Sequence, residues 1–207
     1  MRKTVRLVMA ALAATALMFA SARPAGAATI TLRVNKAIVV NTTTNSSAFK
    51  LGFSANATGD SLVVSAVNEA LPVSSGCVNC QTVAIAFHIV LAKTAAVVRS
   101  VNRAVSLQIL CVHCSNLAAA YQFVVVGGPP SLPKTMQPEF DSVRAELAAL
   151  HSSSLSIDAM QARVDEIAGD LITALLNQLS ATGARQATTQ NSGGAPTLTV
   201  YKASDKK

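Results

Sequence analysis

Along residues 83–91 the large side chains fall at every second position: Val83, Ile85, Phe87, Ile89 and Leu91. Thr82, Ala84, Ala86 and His88 alternate with them. The pattern returns in Leu117, Ala119, Tyr121, Phe123 and Val125, set against Asn116, Ala118, Ala120 and Gln122. A period of two predicts β-strands. The β-branched content favours strand over the buried helix that so much alanine would also suit. Beyond residue 137 the period changes. Phe140, Val143, Leu147 and Leu150 follow Pro138 at helical spacing. Met160, Val164, Ile167, Leu171, Leu175 and Leu179 form a second helical stripe, widened by Ile172 and Leu176. Three serines at 152–154 separate the two. Ser156 is placed to cap the second helix, Leu155 and Met160 to staple it, and Gly183 to end it.

The strand pattern repeats. Val67-Asn68-x-Ala70 leads to Cys77-Val78-x-Cys80, then Ala84-x-Ala86-Phe87-x-x-Val90. At an interval of 34 residues, Val101-Asn102-x-Ala104 leads to Cys111-Val112-x-Cys114, then Ala118-x-Ala120-Tyr121-x-x-Val124. A degenerate copy begins at Val34-Asn35-x-Ala37, with Thr43 and Ser46 where the later copies carry cysteine. A fixed period of this size indicates stacked supersecondary units. Each unit reads as a β-hairpin with its C-x-x-C at the turn, so stacking brings both cysteine turns to one end of the sheet. The expected fold is α+β: an antiparallel β-hairpin repeat sheet over 28–134, covered by a helical hairpin at 135–182. Residues 183–207 are rich in Gly, Thr, Gln, Ser and Lys, which predicts a disordered tail.

The first 27 residues read as an export signal. Arg2, Lys3 and Arg6 precede an uncharged apolar run from 7 to 22, and Ala25-Gly26-Ala27 offers a cleavage site before Ala28. The run is short for a bilayer span, and no later stretch is long and apolar enough to make one. Removing the signal changes the charge reading. The formal +7 falls to +3, distributed as +5 over 28–134, −5 over 135–181 and +3 beyond. The cations are scattered and few aromatics accompany them, which argues against nucleic-acid binding. The opposite signs of the sheet and helical segments suggest that the two dock.

Chemistry concentrates in Cys77, Cys80, Cys111 and Cys114. Export favours disulfide staples, closed within each C-x-x-C or between the turns. Four thiolates also have the ligand count of a zinc site, although the spacing between the pairs exceeds the usual interval. Thiol–disulfide exchange is the third reading; it wants the first thiolate at a helix N-terminus, and these pairs are flanked by strands. His88 matches Gln122 one repeat on, which suggests a polar hydrogen-bonding position. His113 lies in a turn and His151 ends a helix. No G-x-S-x-G, H-E-x-x-H, phosphate-binding loop or dinucleotide fingerprint is present. In the sheet segment only Asp60 and Glu69 could form a carboxylate pair. Three glycosylation sequons, at Asn41, Asn45 and Asn56, matter only in a eukaryotic secretory host.

The string from Cys77 to Cys80 through Gln81-Thr82-Val83-Ala84-Ile85-Ala86-Phe87, followed by a second C-x-x-C and Ala120-Tyr121-Gln122-Phe123-Val124, resembles the C-x-x-C repeat region of secreted actinobacterial proteins of unknown function. The resemblance spans residues 33–180. Similar regions accompany membrane proteins of the peptide zinc metalloprotease class. The first repeat here departs from the pattern by lacking cysteines, and the protease H-E-x-x-H is absent, so no proteolytic activity is implied. The expectation is a secreted, non-enzymatic structural or interaction protein of the cell envelope with cysteine staples. The alternatives are a zinc-binding accessory domain or a thiol–disulfide oxidoreductase.

Overall fold

The computed structural model describes residues 29–129, 131–186 and 196–207. The strands are β1 (Ile30–Asn41), β2 (Ser47–Ser75), β3 (Gln81–Ala104), β4 (Leu107–Ile109) and β5 (Ser115–Val126), with β6 (Thr197–Lys206) last in the chain. Helices α1 (Gln137–Ala149) and α2 (Ile157–Gln186) lie between β5 and β6. The expected signal peptide and its cleavage site fall outside the described residues.

The repeats do not form antiparallel hairpins. β1 pairs with β2, β2 with β3 and β3 with β5, all parallel. The register equals the sequence repeat: Ile30 lies beside Val63, Ser47 beside Gln81, and Gln81 beside Ser115. Each repeat is therefore one coil, with equivalent residues stacked on one another. β2 and β3 are 29 and 24 residues long because each runs through two layers. Their first halves build one layer with β5, and their second halves build another with β1. Among the described residues only β6 pairs antiparallel, along β5. The end of the expected disordered tail is thus an edge strand, held by backbone hydrogen bonds that need no apolar core of their own.

Small residues face one another between the two layers. Ala37 and Ala70 of the second layer pack with Ala84, Ala86, Ala118 and Ala120 of the first. Alanine lets the layers approach closely, and an asparagine ladder fixes their spacing. Asn35 donates through Nδ2 to Asn68 Oδ1 at 2.9 Å, and Asn68 donates to Asn102 Oδ1 at 2.9 Å. The same amides cross the gap to backbone carbonyls: Asn35 to Phe87, Asn68 to Ala86 and Tyr121, Asn102 to Ala120 and Tyr201. Beside this ladder lies a second polar stratum. Arg33 and Ser100 occupy one row of the second layer, while His88 and Gln122 are neighbours in the first. Arg33 Nε, Ser100 Oγ, His88 Nε2 and Gln122 Oε1 are buried there with no hydrogen-bond partner among the described residues.

The large-residue face of the first layer is covered as the sequence predicts. Val83, Ile85, Phe87 and Ile89 pack with Leu117, Tyr121 and Phe123 under Phe140, Val143, Leu147, Val164, Ile167 and Leu171. Ser156 Oγ accepts from the Ala159 amide at 3.2 Å, the expected N-cap. Leu176 departs from the stripe and is exposed, and α2 continues past Gly183 to Gln186. The ion pairs across this contact come from the tail and not from residues 28–134: Lys202 and Lys206 of β6 pair with Asp165 and Asp158 of α2. The outward face of the second layer carries no such cover among the described residues. Ile30, Leu32, Val34, Ile38, Val40, Val97 and Val101 stand exposed there, crossed by the ion pairs of Glu69 with Lys36 and Arg103.

Candidate functional site

The turn after each second-layer strand reverses direction in a few residues, which requires left-handed backbone. Gly76 (φ 63°) precedes Cys77, and Asn79 (φ 52°) precedes Cys80. Leu110 and His113 occupy the equivalent positions one coil on, both at φ 52°. Glycine and asparagine tolerate this conformation, whereas Leu110 adopts it at a cost of about 1 kcal/mol. The two turns are stacked by backbone hydrogen bonds. Val112 N donates to Cys77 O, Asn79 N to Val112 O, and Ser115 N to Cys80 O, at 2.8–3.1 Å. Below them, Asn45 (φ 52°) and Thr44 continue the stack, with Asn79 Nδ2 donating to Asn45 Oδ1 at 3.1 Å.

This stacking gathers all four cysteines. Their sulfurs lie within 4.8 Å of one another. Cys77 Sγ is 3.8 Å from Cys111 Sγ and 3.7 Å from Cys114 Sγ. Cys80 Sγ approaches both Cys77 and Cys114 at disulfide range, and one sulfur can make only one such bond. Cα separations of 6.2 Å for Cys77–Cys80 and 4.6 Å for Cys80–Cys114 suit either link. Cys77 and Cys80 are buried, whereas Cys111 and Cys114 are half-buried. The arrangement can therefore cross-link the turns or hold a metal ion.

No protein-family model, curated protein or solved structure matches the chain.

The other sequence candidates do not converge on the sulfurs as a catalytic set. His88 is fully buried between the layers, 3.3 Å from Gln122 Nε2 through Nδ1. This is the polar position that the repeat predicted. Burial pushes its imidazole from 6.5 down to about 4; the polar backbone of Val67 nearby opposes this and the Arg33 charge adds to it. His151 stacks near Phe49, with ring centroids 5.4 Å apart. Asp60 is held below the usual carboxylate range by hydrogen bonds from Lys93 and Thr94. Glu69 is lowered chiefly by Arg103, with Lys36 assisting. Asp60 is therefore committed to Lys93 and Glu69 to Arg103 and Lys36, and the two carboxylates do not pair. His113 alone neighbours the cluster. With Cys80, Ser115, Ser156 and Asp158 it lines an open cleft of about 580 Å³ between the upper turn and the start of α2.

Sequence reasoning used Asn35, Asn68 and Asn102 as markers of the repeat and missed their bonding. The signal was available: an asparagine recurring at one coil position can bond to its own copies when the strands are parallel and in register. Arg33 was also missed. Its place in the alternation, between the outward Leu32 and Val34, marked it as inward-facing.

Proposed function

We propose that this is an exported, non-enzymatic structural or interaction protein of the cell envelope, whose four cysteines act as disulfide staples at one end of a coiled β-scaffold. The observation that carries this reading is the convergence of four sulfurs on two hydrogen-bonded turns, at the end of a scaffold held together inside by stacked alanines and an asparagine ladder. A disulfide there locks the turn geometry, including the left-handed residues, and opposes unwinding of neighbouring coils.

The two pairings have different energetic consequences. A link between equivalent positions closes a loop of 34 residues and is expected to stabilise by about 4 kcal/mol; one within a C-x-x-C contributes about 2 kcal/mol. The test uses protein recovered from the exported fraction. N-terminal sequencing should begin at or near Ala28. Thiol titration in denaturant without reductant should find no free cysteine, and peptide mapping should assign the pairs. Reduction should lower the unfolding free energy by the amount the assigned pairing implies. Turnover of a disulfide substrate that disappears in Cys111→Ser would overturn the non-enzymatic reading, and four free thiols would overturn the staple.

A further inference from the structure

Disulfide closure is not the only state this cluster can adopt. We propose that, when reduced, Cys77, Cys80, Cys111 and Cys114 form a tetrahedral four-thiolate site for one divalent cation of the zinc class, and that metal binding and disulfide cross-linking are mutually exclusive states of the same turn stack. The inference shares the cysteine cluster with the staple reading, but it assigns the cluster a ligand and a second state.

The sulfur geometry carries the argument. A zinc ion holds thiolates at about 2.3 Å, and a tetrahedron of that radius has edges of about 3.8 Å. The Cys77–Cys111 and Cys77–Cys114 separations are 3.8 and 3.7 Å. All four sulfurs lie within 4.8 Å of one another, so a single centre can reach them all. Cys80 Sγ lies at disulfide range of both Cys77 and Cys114, closer than a tetrahedral edge, so it must draw back from them to complete the site; it cannot bond covalently to both, whereas a shared cation satisfies every sulfur together. Two C-x-x-C turns from adjacent coils supply the ligands, and the parallel register fixes how the turns stack. The burial pattern provides both a floor and an entrance: Cys77 and Cys80 are buried, while Cys111 and Cys114 are reached by solvent. Thr43 and Ser46 stand in the coil below where cysteines would be, so the site is confined to the second and third coils.

Oxidation converts the metal-bound state into the cross-linked one. Four metal–sulfur bonds break, two S–S bonds form, one divalent cation leaves and four electrons pass to the oxidant. With the azo oxidant diamide, two molecules each accept two electrons and two solvent protons and become the hydrazine. In an envelope, a disulfide oxidant of the dithiol class would accept the same electrons by exchange.

The experiment reduces the full exported chain under anaerobic conditions and titrates it with cobalt(II), then with zinc. The expected result is one cobalt per chain. It should show ligand-field absorption of tetrahedral intensity and sulfur-to-cobalt charge transfer, both abolished by one equivalent of zinc. Diamide should then release one zinc for every four thiols lost. Cys111→Ser, at a half-buried position where the fold is least disturbed, should change the charge-transfer spectrum and weaken binding at least about tenfold, with circular dichroism unchanged. Cys77→Ser should do the same from the buried side. Absence of the tetrahedral spectrum in the folded, reduced protein would overturn the inference, as would a spectrum unaltered by Cys111→Ser. Disulfides in the exported protein without metal binding on reduction would sink the inference and leave the staple reading intact. Native protein with stoichiometric zinc and four free thiols would sink the staple and support the inference.

Discussion

Replacing Asn68 by alanine should be among the most damaging single changes to this scaffold. Asn68 is fully buried at the centre of the ladder. Its Nδ2 serves Ala86 O, Tyr121 O and Asn102 Oδ1 at 2.9–3.0 Å, and its Oδ1 accepts from Asn35. Truncation removes about three hydrogen bonds' worth of pairing at about 1 kcal/mol each. It also takes the Asn68 donor from the Ala86 and Tyr121 carbonyls and from Asn102 Oδ1 in a site closed to water, while Asn35 keeps Gly52 O and Phe87 O, so the loss should reach about 4 kcal/mol. Asn102→Ala removes a similar set at a partly exposed position, where water replaces some partners, and should cost about 2 kcal/mol. Asn68→Asp should be worse than alanine, because a carboxylate cannot donate and would face two carbonyls and the Asn102 oxygen. Urea unfolding with a slope of about 2 kcal/mol per molar converts the Asn68→Ala loss into a midpoint shift of about 2 M. A shift no greater than that of Asn102→Ala, with the slope unchanged, would refute the view that the ladder sets the layer spacing.

Two further outcomes follow from the interior. In Gly52→Ala the new methyl would meet Lys36 O at 2.7 Å and Lys36 C at 2.9 Å, both backbone atoms, so thermal unfolding should reveal a loss of about 1–3 kcal/mol; Gly59→Ala meets nothing within 4 Å and should stay within about 0.5 kcal/mol. His88 titrates at about 4 in the fold against 6.5 when unperturbed. The unfolded chain therefore binds the extra proton first, and stability should be complete above pH 6.5 and fall by up to about 3 kcal/mol as pH drops towards 4; urea midpoints across this window should lose that slope in His88→Gln.

Much of this architecture is legible from residue order, and the missing parts have physical causes. The repeat, the strands, both helical stripes and the Ser156 cap follow from spacing because each reflects local geometry. The gathering of the cysteines follows too, since equivalent positions stack in any regular repeat. Strand direction does not follow from alternation, because inward and outward positions alternate identically in a hairpin and in a coil. A better discriminator lies in the small face itself. Ala84, Ala86, Ala118 and Ala120 are apolar opposite an apolar large-residue face, and strands buried on both sides are characteristic of parallel sheets. The bonding of Asn35 to Asn68 and Asn102 becomes visible only once that direction is known. β6 escaped because residues 197–206 pair through backbone groups, with only Leu198 and Ala203 reaching the apolar layers.

The equality of sequence period and strand register has a consequence for how such a chain can change length. A coil touches chiefly the coils above and below it, so a tandem duplication of 34 residues would add a rung whose asparagine, alanines and cysteines arrive already aligned. Loss of one residue within a strand would instead turn every later side chain of that strand to the opposite face. Length variation in this lineage should therefore come in whole coils. The thirty-three-residue offset between β1 and β2 shows where that ruler tolerates a missing residue: in the turn, where the first coil has Thr43 and Ser46 in place of cysteine.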